Sequence, residues 1–227
     1  MTVSFKGAYF PEDIILHAVF FYLRYSVSYR DLEEIMAERG VSVDHATLDR
    51  WVVRYAALIA ESAHSKRRPA DRSWRMYETY IRVRGQWVYL YRAVDKFGKT
   101  LDFKLSPHRN KPAATKFLAH ATEANGLSRK IVIDKSAANT FAITDINRML
   151  KRFGCPVSIE MTRIKYVNNM VEQDHRFIKR RVRPMLGFKS FKSAASAIAG
   201  IEVMNMIRKG QFSAGLRRYE QFRQLVA

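Results

Sequence analysis

The hydrophobic period of this chain changes once, at the basic stretch Lys66-Arg67-Arg68-Pro69, and that change divides what the two parts can become. Before it, apolar residues recur with a helical period; after it, they come in short aromatic and β-branched runs. Glu12 and Asp13 open a helix behind Pro11, where the dipole favours acids, and Ile14, Ile15, Ala18, Val19 and Tyr22 share one face as far as Tyr25. Ser28 suits the N-cap of a second helix reaching Arg39, with Leu32, Ile35 and Met36 turned inward and Gly40 as its stop. Asp44 caps a third, in which Leu48, Trp51, Val52 and Tyr55 fall at i, i+3, i+4 and i+7.

Beyond Pro69, strands are predicted at Trp74 to Val83, Gln86 to Val94 and Lys99 to Leu105, with turn signals at Arg84-Gly85 and around Phe97-Gly98: a three-stranded meander. Helices follow at Lys111 to Ala124 and Asn139 to Arg152, around a short strand, Lys130 to Ile133, that runs into Asp134. Pro156 to Glu160 reads as a fifth strand, and Val167 to Arg183 as a long basic helix stopped by Pro184. Ala194 to Ile207 reads as an apolar helix suited to core or a subunit contact.

Charge narrows the partner. Lys and Arg number 40 against 21 Asp and Glu, a net +19 that attracts a phosphate backbone by counterion release. An acidic membrane surface would call for an amphipathic basic helix or a lipidation signal at a terminus, and neither is visible. The longest apolar run, Ile14 to Leu23, contains His17 and is too short to span a bilayer. The single cysteine, Cys155, excludes an internal disulfide and fits a reducing compartment, so a cytoplasmic, nucleoid-associated protein is expected.

The second and third helices, joined through Gly40-Val41-Ser42-Val43, read as a helix-turn-helix whose last helix would lie in a major groove. With Leu48, Trp51 and Tyr55 inward, Ala46, Arg50 and Arg54 fall on the opposite side, and Thr47, Arg50 and Arg54 are the candidate DNA contacts. The plainer alternative is a three-helix cap with a solvated basic face; the net charge favours DNA.

A meander, a helix, a strand ending in a carboxylate, further helices and a late helix with another carboxylate follow the order of ribonuclease H-like nucleotidyl transferases. The predicted class is α/β (α+β): a mixed five-stranded sheet flanked by helices. Phosphodiester chemistry in this architecture needs carboxylates converging from a central strand, a neighbouring strand end and a helix, so that two Mg²⁺ ions about 4 Å apart clamp the attacking and leaving oxygens. Asp134 and Glu172 fit two of those places as metal ligands. Glu172, Arg176, Lys179 and Arg183 fall nearly on one line of their helix, with Val171, Ile178 and Val182 beside them as an apolar seam. Arg180, Arg181, Lys189 and Lys192 extend this basic surface as a DNA track.

The segments Ser28-Tyr29-Arg30-Asp31-Leu32-Glu33-Glu34, Val43-Asp44-His45, Trp74-Arg75-Met76, Glu78-Thr79-Tyr80-Ile81, Tyr89-Leu90-Tyr91-Arg92-Ala93-Val94-Asp95-Lys96 and Val171-Glu172-Gln173-Asp174-His175 resemble the transposases of short bacterial insertion sequences carrying one DDE-type transposase gene. The resemblance runs over nearly the whole chain. It implies a helix-turn-helix for the element's terminal inverted repeats, then a catalytic domain dependent on Mg²⁺ or Mn²⁺ that cuts double-stranded DNA and joins it to a target. It also implies a homo-oligomer, because two element ends must be held together. Asp134 matches the second Asp of the family's triad, Glu172 its Glu, and Lys179 the basic residue two turns beyond. The implied domains are 1–65 for the helix-turn-helix, 66–73 for a basic linker, 74–185 for the ribonuclease H-like core and 186–227 for a basic helical tail.

At the family's first catalytic Asp, between Met76 and Glu78, this chain has Tyr77. A neutral phenol ionises only near pH 10 and cannot replace a carboxylate bridging two hard cations. Glu78 is the nearest acid, but strand alternation turns it to the other face unless a bulge rotates it inward. Asp95 falls at a turn, where capping or solvent exposure accounts for it. The expectation is a transposase whose two-metal site is defective at position 77. The alternatives are an inactive DNA-binding repressor or inhibitory subunit and, remotely, a tyrosine recombinase with Tyr77 as nucleophile, a chemistry needing a basic cluster in a helical domain.

Overall fold

The computed structural model describes residues 3–134, 136–164, 169–185 and 188–227, with the side chains of residues 169–172 outside the described set. Two compact units emerge: residues 1–68, 83–85 and 176–227 form one, and residues 69–82 and 86–175 the other.

The first unit is helical. Its N-terminal helices are α1 (Glu12–Arg24), α2 (Tyr29–Ala37) and α3 (His45–Lys66). A capping box starts α2: the Asp31 N–H donates to Ser28 Oγ at 3.1 Å and the Ser28 N–H to Asp31 Oδ2 at 2.8 Å. Gly40, at φ 76°, closes α2 in the left-handed conformation that glycine adopts without strain. Glu33 Oε2 then accepts from the His45 backbone N–H at 3.1 Å and lies 3.0 Å from His45 Nδ1, tying the two helices across their turn.

The stretch expected as a basic helical tail falls among the N-terminal helices. Residues 186–227 fall in the same unit as the N-terminal helices, through α7 (Phe191–Arg208) and α8 (Arg218–Gln224), and α8 was not foreseen. The reason is burial: Ala197, Ile198, Ile201, Val203, Met204, Met206 and Ile207 leave α7 apolar nearly all round, and such a helix must be packed against others. Ser190 caps it by accepting from the Ser193 N–H at 3.0 Å, which moves its start ahead of the expected Ala194. The N-terminal segment closes on this core as well, with Val3 N–H donating to Val226 C=O at 3.1 Å and Phe5 stacked on Tyr55 at 4.6 Å.

The second unit holds a five-stranded sheet in the order β3-β2-β1-β4-β5. Its strands are β1 (Ser73–Val83), β2 (Gln86–Asp95), β3 (Thr100–Ser106), β4 (Lys130–Ile133) and β5 (Glu160–Arg163), with α4 (Lys111–Asn125) and α5 (Ala137–Arg152) between them. β2 and β3 are antiparallel, while β4 runs parallel to both β1 and β5, which is the expected mixed five-stranded sheet. One face is covered: Trp74, Met76, Tyr91, Ala93, Ile131 and Ile133 pack with Phe117 and Leu118 of α4 and Ile143 and Ile146 of α5.

The fifth strand begins four residues later than expected. Asn147 of α5 grips Ile159 on both sides, accepting from its N–H at 2.8 Å and donating to its C=O at 3.0 Å, so pairing with β4 begins at Glu160. Asp95 caps its turn as expected but is fully buried rather than solvent-exposed, accepting from the backbone N–H groups of Phe97 and Lys99 at 2.9 Å each. The late helix, α6 (Asn169–Val182), passes into a 3₁₀ turn, Arg183–Met185, where Pro184 supplies no N–H, so Arg183 leaves the α-helical line. The expected residues 167 and 168 of that helix lie outside the described residues. Among the described residues, no helix is long and apolar enough to cross a membrane.

Close approach within the helical unit centres on Gly200 of α7. A Cβ there would stand 2.5 Å from Leu23 Cδ1 and 3.0 Å from Ala56 Cβ, so α1 and α3 reach α7 only because the side chain is absent. Gly200→Ala gains about 1 kcal/mol of helix propensity and loses about 1–3 kcal/mol to overpacking. A lower denaturation midpoint in urea is expected; a raised midpoint would contradict the close packing.

Candidate active site

β1 and β4 run parallel with Met76 beside Ile133, the last pair of their ladder, so Tyr77 and Asp134 each follow directly on that pair in sequence. Met76 and Ile133 both face the helix-covered core, and alternation sends residue 77 to the other face of the sheet. There Tyr77 is 3% exposed, and its hydroxyl donates to Asp174 Oδ2 at 3.0 Å. The same carboxylate oxygen lies 3.4 Å from an Arg92 guanidinium nitrogen, and both charged side chains are buried. The guanidinium carbon stands 5.4 Å from the centre of the Tyr77 ring, and the His175 ring meets that ring edge-on at 5.1 Å. Position 77 therefore sits in a buried polar cluster whose charges balance as an arginine–aspartate pair, with the phenol as a neutral donor.

Glu78 points to the other face, as alternation requires. Its carboxylate is ion-paired with Arg109, and its Oε1 accepts from Ser136 Oγ at 3.3 Å. Asp134 Oδ1 in turn accepts from the Ser136 backbone N–H at 2.9 Å. Partial burial works to lower the Arg109 pKa, but the charge and hydrogen bond of Glu78, with smaller contributions from Tyr80 and Asp134, outweigh it and raise the value. The acid next to Tyr77 in sequence is thus already engaged, and not by the cluster around Tyr77.

Glu172 lies on α6 and its side chain is outside the described residues. Asp134 is half-buried. Among the described residues, no group of three or more His, Cys, Asp or Glu side chains is placed to hold a metal ion. The residues described do not fit a pair of hard divalent cations: position 77 offers a phenol, Asp174 is paired with Arg92, and Glu78 with Arg109.

The remaining expected site residues lie in the helical unit. Arg176, Lys179, Arg180 and Arg183 are exposed, while Ile178 of the apolar seam is buried. Arg181 is held more firmly, donating to Ser26 Oγ at 3.3 Å and lying 5.5 Å from the Phe177 ring. Burial, then the neighbouring Arg24 and Arg180, lower its pKa. On α3, Asp44 Oδ2 accepts from Thr47 Oγ1 at 2.7 Å, and Arg50 donates to Thr47 Oγ1 at 2.6 Å, so the cap orients the exposed arginine. The Thr47 hydrogen bonds hold the Asp44 carboxyl below its usual range. Arg50 and Arg54 line a groove of about 750 Å³ whose lining also includes Lys189 and Lys192. Trp51, expected in the core, is only half-buried, with its ring edge-on to Phe10.

Arg92, Asp174 and Arg109 were not singled out from the sequence. One signal was present: Arg92 interrupts the apolar run Tyr89-Leu90-Tyr91-Arg92-Ala93-Val94, and a charge in a buried strand demands a counter-charge. Which acid answers it depends on a contact between residues 82 positions apart.

Residues 71–211 match a family model described as a DDE domain, of the IS240 transposase type. The transposase for insertion sequence-like element IS431mec of Staphylococcus aureus is 38% identical over 206 residues, spanning 90% of this chain and 88% of that protein. The transposase for insertion sequence element IS257 in transposon Tn4003, also of S. aureus, is 37% identical over the same shares. Among solved structures, the HTLV-2 integrase catalytic core domain in complex with magnesium, in its dimeric form, aligns at 13% identity and a TM-score of 0.46, over 68% of this chain and 97% of that one. By its matched domain and the extent of its identity to these transposases, this chain belongs to the DDE transposases of bacterial insertion sequences, a family of polynucleotidyl transferases.

Proposed function

We propose that the chain binds the terminal inverted repeats of its element as a homo-oligomer, and that metal-dependent cleavage and strand transfer are lost or severely impaired at Tyr77. The observation that carries this reading is the Tyr77 hydroxyl bonded to a buried, arginine-paired aspartate, position 77 being where the family resemblance expects the first catalytic carboxylate. Asp134 and Glu172 are the remaining candidate ligands for Mg²⁺ or Mn²⁺, with Lys179 and Arg176 steering the phosphate backbone toward them. The net charge of +19 supports double-stranded DNA as partner. The capped start of α3, with Thr47 and Arg50 linked and Arg50 and Arg54 on one groove, supports α2 and α3 as a helix-turn-helix. Arg180, Arg181 and Arg183 continue the backbone contacts.

The same cluster favours one further reading, a repressor or inhibitory subunit that occupies the repeats without cutting them. A phenol satisfied by its neighbours needs no cation to hold its place, so repeat binding would survive a chelator. Tyr77 as a covalent nucleophile is disfavoured, because its hydroxyl is buried on a strand and bonded to a carboxylate rather than set among exposed cations.

Strand transfer by this chain and by Tyr77→Asp, each with Mg²⁺ or Mn²⁺, tests the reading directly. The substitution should raise transfer by at least about tenfold, equivalent to ~1.4 kcal/mol on the barrier. Equal activity would refute the role given to position 77. For the head, Arg50→Ala and Thr47→Ala should each weaken repeat-specific retention in a gel shift by about 1–3 kcal/mol while leaving nonspecific binding nearly unchanged. Uniform weakening on all sequences would reduce both residues to backbone contacts.

A further inference from the structure

The helix-covered face of the sheet is only half covered. Along β1 the residues of that face are Trp74, Met76, Glu78, Tyr80 and Arg82; along β2 they are Trp87, Tyr89, Tyr91 and Ala93. Trp74, Met76, Tyr91 and Ala93 lie under α4 and α5, and Tyr89 packs at the margin of that core. Past the margin, Tyr80 is 45% and Trp87 60% exposed. β4 pairs with β1 only as far as Met76, so this arm of the hairpin extends beyond the shorter strand.

The exposed part is organised. Tyr80 stands edge-on to Tyr89 at 5.5 Å and to Trp87 at 6.3 Å. Arg82 sits 5.8 Å from the Trp87 ring centre, and Arg109 donates to the Tyr80 hydroxyl at 3.2 Å. The one acid of this face nearby, Glu78, is already neutralised by Arg109 and leads through Ser136 to Asp134. Three adjoining aromatic rings, two arginines and no free negative charge form a surface with two affinities, for flat π-systems and for phosphate.

We propose that Tyr80, Trp87 and Tyr89, flanked by Arg82 and Arg109, form a stacking platform for unpaired nucleotides of a DNA strand. The inference rests on the reading of DNA as partner and adds a second, single-stranded mode of contact separate from the duplex contacts of the head. In a duplex the base faces are occupied by their neighbours, so only unpaired bases can lie on protein rings, and such stacking is indifferent to sequence because every base has a π-face. Arg82 supplies backbone attraction and cation–π contact at the same place, while Arg109, paired with Glu78, holds the Tyr80 hydroxyl. The hydrogen-bonded path from Glu78 through Ser136 to Asp134 ties the platform to the strand end where the family's chemistry is expected.

Trp87 provides its own reporter. The other two tryptophans, Trp51 and Trp74, are half-buried and buried respectively, so an oligothymidylate should quench fluorescence mainly through Trp87. Trp87→Ala and Tyr80→Ala in the full chain should each weaken oligothymidylate binding by about five- to hundredfold, read by fluorescence anisotropy of labelled DNA, with Trp87→Phe retaining most of the affinity. Gel-shift retention of duplex terminal repeats should be unchanged in all three variants. If duplex retention persists and single-strand affinity does not fall in the alanine variants, the platform is refuted while the reading of the head stands. If duplex retention is absent in the unsubstituted chain but single-strand binding depends on Trp87, the head reading fails and the platform stands. If Trp87→Ala instead changes the sedimentation of the DNA-free protein and leaves oligothymidylate affinity intact, the face is a contact between copies and the proposal is overturned.

Discussion

Four residue pairs between two parallel strands govern this site. Ser73 to Met76 of β1 lie beside Lys130 to Ile133 of β4, and every apolar side chain directed under α4 and α5 depends on that register. A slip of one residue would turn Trp74 and Met76 out of the core, so burial holds the register firmly. Positions 77 and 134 each follow directly on the last pair of that ladder, Met76 and Ile133, which packing under α4 and α5 holds in place.

What position 77 contains then decides the electrostatics. Asp174 is a buried carboxylate, Arg92 answers its charge, and the Tyr77 hydroxyl donates to it. Tyrosine fills that role without adding charge. An aspartate there would put two carboxylates beside one arginine, a state unfavourable unless a cation or a proton enters. Glu78 adds no charge to this cluster, because it turns to the other face and is bound to Arg109.

Much of this was legible in local sequence. Ser28 and Asp44 are polar side chains ahead of helical stretches, and each caps the helix that follows it. The meander, and β4 running into Asp134, stand where their aromatic and β-branched runs predict them. Other features depend on distant contacts. The start of β5, the burial of Asp95 and the packing of α7 each depend on partners remote in the chain: Asn147 for β5, the turn amides and Asp71 for Asp95, and α1 and α3 for α7.

The sequence by itself determined the order and type of the elements as far as α7, the family, and the presence of a phenol between Met76 and Glu78, because each is written in adjacent residues or in short motifs. Tertiary structure alone decided that the last forty residues belong with the head helices, that Tyr77 donates to Asp174, and that half a sheet face of aromatic rings is left uncovered. Those outcomes turn on which buried charge meets which partner and on how far a helix reaches across a sheet, and both are settled by contacts between residues that the chain order keeps far apart.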